Sequence, residues 1–135
     1  MQARCPEPGQ ALDASAGGAL VLPDCPLRVE AQPGEEHALT LRQSLHLSGS
    51  PVSELFTTQP GTSVLHADRV DELVLSGFTV RGGGGEGCDG ARGLVSVRGG
   101  RDLRVLDLTI IDGDSDGISL RQVSGATIEG CIVER

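Results

Sequence analysis

At 135 residues, with a formal net charge of −8, no Trp, no Tyr and two Phe, the chain has room for one domain and little aromatic surface. The acidic balance argues against nucleic acid or an anionic membrane surface as a partner. No run of 18 apolar residues is present, so the sequence offers no membrane-spanning helix.

In chain order, Met1 to Cys5 is not followed by an apolar stretch, so the sequence as given carries no signal peptide. Gln10 to Ala16 is short and Ala-rich, and Gly17-Gly18 stops it. A short helix or turn is expected there, followed by a strand over Ala19 to Leu22. Residues 1–36 are expected to form an N-terminal cap with a first irregular strand, shielding an exposed strand edge. Cys5 and Cys25, each followed by Pro, flank this region. A disulfide between them would fasten the cap; the alternative is two unpaired thiols. Cys88 has no evident partner, and the Cys-x-x-Cys spacing of a metal site is absent.

Residues 37–135 carry a repeat. Leu65 to Val80, Val95 to Ile110 and Ile118 to Val133 superpose without a gap over 16 positions. Five columns are apolar or Cys throughout: Leu65/Val95/Ile118, Ala67/Val97/Leu120, Leu75/Val105/Ile128, Phe78/Leu108/Cys131 and Val80/Ile110/Val133. Each copy opens on an i, i+2 apolar pair, the period of a strand with one buried face. The step of three from Leu75 to Phe78 recurs in every copy and predicts a bend between two short strands. A fainter copy lies upstream, where Leu45 to Val52 matches Leu73 to Val80, with Leu39 and Leu41 as the preceding pair. Phe56 falls in an irregular stretch after it. A unit of this size buries its apolar side only by stacking on its neighbours, with parallel strands roughly 4.8 Å apart. The expected architecture is all-β, a parallel β-helix of about four coils. Apolar spacing never settles to 3.6, which excludes helical repeats.

The rhythm of Leu-Val-Leu-Ser-Gly-Phe-Thr-Val-Arg-Gly-Gly from Leu73 and of Asp116-Gly-Ile-Ser-Leu followed by Ala-Thr-Ile-Glu-Gly-Cys-Ile-Val resembles the right-handed parallel β-helix repeats of the pectin-lyase-like superfamily. The likeness covers about residues 37–135. It implies a right-handed solenoid and an exported protein, extracellular or on the cell surface. The superfamily holds polysaccharide lyases, glycoside hydrolases and non-catalytic surface proteins, so the fold does not choose an activity.

Three features invite chemistry. Gly82 to Gly90 contains G-x-G-x-x-G, but a strand rather than a helix follows it, so a projecting loop is expected instead of a dinucleotide site. Asp112-Gly-Asp114-Ser-Asp116-Gly has the spacing of a calcium loop. The twelfth position is Val123 where an EF-hand needs Glu, so the alternatives are a polar turn and a turn-borne Ca²⁺ site. By likeness to the Asn-Thr-Asp-Gly element of polygalacturonases, Asp116 would be a catalytic carboxylate. The further Asp-Asp and Gly-His-Gly elements of those enzymes are missing here, and a lone acid does not invert a glycosidic bond. Finally, Arg98 and Arg121 share an outward column above Asp68; the alternatives are solvated surface arginines with Asp68 as a partial partner and a ladder that would grip an acidic sugar. His66, Ser96 and Ser119 share the next outward column and read as surface.

These observations leave three expectations. The first is a non-catalytic scaffold segment of an exported, adhesin-like protein. The second is part of a polysaccharide-active lyase or glycosidase, with Ca²⁺ as the one cofactor in view. The third is a module that self-associates, or stacks on further coils, through the C-terminal coil.

Overall fold

The computed structural model describes residues 18–30, 37–59, 62–83, 94–111 and 117–134. All regular structure in them is strand. In chain order the strands are β1 (Gly18–Val21), β2 (Pro26–Arg28), β3 (His37–Leu41), β4 (Leu45–Ser48), β5 (Glu54–Phe56), β6 (Ser63–Asp68) and β7 (Val74–Ser76). They continue as β8 (Thr79–Arg81), β9 (Val95–Arg98), β10 (Arg101–Leu106), β11 (Thr109–Ile111), β12 (Ile118–Arg121), β13 (Ser124–Glu129) and β14 (Ile132–Glu134).

The chain visits three parallel sheets in rotation. Sheet A stacks β1-β4-β7-β10-β13, sheet B stacks β2-β5-β8-β11-β14, and sheet C stacks β3-β6-β9-β12. The result is a parallel β-solenoid. Its register is the register of the repeat: Leu65 pairs with Val95 and Val95 with Ile118; Leu75 pairs with Val105 and Val105 with Ile128; Val80 pairs with Ile110 and Ile110 with Val133. Leu39 and Leu41 pair with Leu65 and Ala67, as the fainter upstream copy predicts. Each column runs as a ladder through one core, in which Leu41, Leu47, Leu55, Leu75, Val105 and Ile110 are fully buried. Such burial contributes about 1.5–3 kcal/mol per large aliphatic side chain.

The predicted bend is a corner. Leu75 lies on β7 in sheet A and Phe78 immediately precedes β8 of sheet B, and Gly77, at φ +75°, turns the chain between the two strands. The corner from sheet C to sheet A is built differently. Gly100 (φ +93°) lies so close to the preceding coil that a Cβ on it would clash with the Val70 carbonyl oxygen. Asp71 ties this corner together. Its Oδ1 accepts from the Arg101 backbone N–H at 3.0 Å, and its carbonyl accepts from Ser44 Oγ at 2.6 Å.

The structure corrects the sequence reading at several points. Val52 does not occupy the Val80 column: Leu55 does, and Val52 is 60% exposed. Three extra residues, Ser50 to Val52, form a turn closed by the Ser53 N–H on the Ser50 carbonyl at 2.9 Å. Buried Ser53 then anchors that turn by donating to the Pro23 carbonyl at 2.8 Å. Phe56 is not in a loop but on strand β5, between Arg28 and Arg81 in register. Gly18–Val21 and Pro26–Arg28 are rungs of sheets A and B, so the solenoid takes in part of the region expected as a cap. The helix or turn expected over Gln10 to Ala16 lies outside the described residues. The column position of Cys131, beside Phe78 and Leu108, predicts a buried free thiol; the thiol is free but partly buried. Cys25 is disulfide-bonded, and its partner lies outside the described residues.

Candidate functional site

Outward side chains of sheet C form two adjacent ladders. One runs Asp68–Arg98–Arg121, the other His66–Ser96–Ser119, with Thr40 next to His66. The alternation of β6, β9 and β12 creates this wall: Leu65, Ala67, Val95 and Val97 point inward and are buried, so the residues between them point out. Arg98 and Arg121 are both exposed and directly opposed across the β9–β12 pair. Like charges so placed repel mildly. Among the described residues neither makes a salt bridge, and Asp68 stands one rung below.

Among the described residues Arg42, Arg69 and Arg104 likewise make no salt bridge, whereas three other arginines do. Arg81 Nε reaches Glu54 Oε1 at 2.7 Å, Arg28 is paired with Glu30, and Arg101 lies 3.7 Å from Asp71. The sheet C pair is therefore a local concentration of positive charge on an acidic chain.

The second ladder is not plain surface, contrary to the sequence expectation. Ser96 is only 9% exposed and His66 is partly buried. Their side chains meet, with His66 Nδ1 3.2 Å from Ser96 Oγ. Removal from water lowers the His66 pKa from its ordinary 6.5, against the raising influence of Asp68 and of a hydrogen bond with the Ser96 backbone, while Arg42 and Arg98 add to the lowering. The imidazole is thus held toward its neutral form. Periodicity shows that His66 and Ser96 share a column; it carries no information on how deeply they are covered.

Asp112, Asp114 and Asp116, and with them the calcium-loop and catalytic-carboxylate expectations, lie outside the described residues, as do Cys5 and Cys88. In sequence the acidic turn directly precedes β12, the strand that carries Ser119 and Arg121. Among the described residues no group of three or more His, Cys, Asp or Glu converges as for a metal ion. No described helix is long and apolar enough to cross a membrane. Elsewhere, a groove of about 460 Å³ lies along the corner between sheets A and B, beside Gly49, Gly77, Asp107 and Gly130. Phe78 borders it but is itself buried, so it offers no open aromatic face.

No family model matches the sequence, and no curated protein does. Among solved structures, the fold is similar to that of a putative glycosyl hydrolase from Parabacteroides merdae ATCC 43184. The TM-score is 0.68 at 13% sequence identity, over 89% of this chain and 61% of that chain. At that identity the likeness is one of fold. The chain spans about three fifths of the length of that neighbour.

Proposed function

We propose that this chain is part of a saccharide-engaging, exported β-solenoid of the right-handed, pectin-lyase-like kind, and that the sheet C wall binds an anionic sugar. The observation that carries the reading is the Arg98–Arg121 pair: two exposed arginines in register on adjacent rungs of an acidic chain, with no carboxylate in salt-bridge reach among the described residues. Guanidinium forks match carboxylate geometry in a bidentate way, and an anion placed between them converts their repulsion into attraction. The neighbour's description as a glycosyl hydrolase supports a saccharide as that anion.

Calorimetric titration with oligogalacturonate tests this. Binding is expected in the wild type and a loss of at least about tenfold in the Arg98→Ala/Arg121→Ala variant, the size expected for charge-assisted pairs. Absence of binding by the folded wild type overturns the reading. Running the titration with and without Ca²⁺ also tests whether Asp112, Asp114 and Asp116 bring a metal to the same wall.

A second reading, a stacking scaffold, has its own support. Ile128 and Val133 are 44% and 56% exposed, although their columns are buried in preceding coils. A further rung, from the same or another chain, would cover them. Concentration-dependent sedimentation of the purified chain would favour that role, and a monomer at all concentrations would count against self-association.

A further inference from the structure

The sheet C wall holds a hydroxyl and an imidazole in contact, next to two cations. Ser96 Oγ and His66 Nδ1 are 3.2 Å apart, within the reach of a nucleophile and its base. Their backbones are fixed by consecutive rungs, since His66 and Ser96 are register partners across the β6–β9 pair. Arg98 projects from the same strand and the same face as Ser96, two residues on, where its charge would meet oxygen developing negative charge on a group bound at Ser96. Asp68, in register with Arg98, also acts on the His66 ring.

The geometry points to a nucleophilic dyad: Ser96, with His66 as its base, hydrolyses an ester on a saccharide whose carboxylates dock on Arg98 and Arg121. The substrate's charge rests on the anionic-sugar reading above; the dyad rests on the Ser96–His66 contact. The substrate class is an O-acylated acidic saccharide. Ser96 Oγ attacks the acyl carbon as its proton passes to His66 Nδ1. Collapse of the tetrahedral adduct breaks the ester C–O bond, and His66 returns the proton to the departing sugar oxygen. Water then attacks the acyl-Ser96, giving its proton to His66, which restores it to Ser96 Oγ as the carboxylic acid leaves. The sum is ester plus water to acid plus alcohol. Burial suits His66 to this task by keeping the ring unprotonated, with Asp68, Arg42 and Arg98 as the charged groups acting on it.

The molecule contains its own control. On sheet A, His46 Nε2 lies 3.4 Å from Ser76 Oγ, but that pair is exposed. The test is labelling of the full chain with an uncharged alkyl fluorophosphonate, followed by peptide mapping. The expected result is an adduct on Ser96 and not on Ser76, absent in Ser96→Ala, and formed at least about tenfold more slowly in His66→Gln. Should Ser96→Ala fail to fold, the wild-type map and the His66→Gln rate still decide. No adduct on Ser96 in folded wild type, or equal labelling of Ser76, overturns the dyad. Because the probe carries no charge, it does not need Arg98 or Arg121. An adduct without oligogalacturonate binding upholds the dyad and removes only the anionic-sugar reading. Oligogalacturonate binding without an adduct removes the dyad alone. Given both, release of acetate from O-acetylated oligogalacturonate is the expected activity, lost in Ser96→Ala.

Discussion

Sheets B and C both carry outward arginines in register, and they handle them in opposite ways. On sheet B, Arg81 closes onto Glu54 and Arg28 onto Glu30, with Phe56 between the two arginines. On sheet C, Arg98 and Arg121 are register partners on adjacent rungs, and Asp68 stands in the same column a rung from Arg98. The ladder geometry is the same, so the difference lies in what each wall leaves unsatisfied. Sheet B is electrostatically closed upon itself. Sheet C keeps a charge pair that no carboxylate among the described residues completes by a salt bridge.

The largest expected effect tests whether the two walls stand on equal foundations. Leu55→Ala under sheet B and Leu65→Ala under sheet C each remove a fully or almost fully buried side chain. Each should cost about 2–5 kcal/mol in denaturant unfolding. A markedly smaller loss at Leu65 would mean that the sheet C side is loosely packed and its wall is not a fixed template.

Next, the binding contrast can be broken directly. Oligogalacturonate affinity should fall at least about tenfold in Arg98→Ala/Arg121→Ala and stay unchanged in Arg28→Ala/Arg81→Ala. Equal losses would show a diffuse response to total charge rather than a site.

Stability should shift in opposite directions at the two walls. Arg81→Ala breaks an ion pair with the mostly covered Glu54 and should destabilise by about 0.5–1 kcal/mol. Arg121→Ala relieves the repulsion with Arg98 and should stabilise by a few tenths of a kcal/mol, an advantage that added salt removes. Chemical unfolding at low and high salt measures both signs.

The smallest effect is the pH response of His66. Its folded pKa is depressed by burial, so the unfolded chain binds a proton more readily than the folded one. The stability linked to this group is present above the ordinary value of 6.5 and is lost as pH falls through the depressed value. Melting temperature should therefore decline more steeply below about pH 6.5 in wild type than in His66→Gln. Parallel curves would mean that His66 is solvated like an ordinary surface histidine.

The ladders were legible in the sequence because stacking converts a linear repeat into a register. Once Leu65, Val95 and Ile118 share a column, their neighbours Asp68, Arg98 and Arg121 must share one too. Val52 was misplaced because three residues inserted at a corner preserve the local pattern while sliding it, so Leu-Leu-Ser-Gly matched and the last apolar residue did not. Phe56 lacked a signal for the same reason. The contact between His66 and Ser96 follows from their shared column, but its burial depends on how the rest of the wall packs, which no periodicity records. The Asp112–Asp116 segment is plain in sequence yet falls outside the described residues.

That three-residue turn at Ser50 has a consequence for engineering. It lengthens a corner while the flanking strands keep their partners, so register and corner length are separate variables in this fold. The connections into sheet C show the same freedom, with 13 residues between β8 and β9 and six between β11 and β12. Foreign peptides should therefore be tolerated at these joints, which would allow the rim of the wall to be redesigned without disturbing the rungs that hold it.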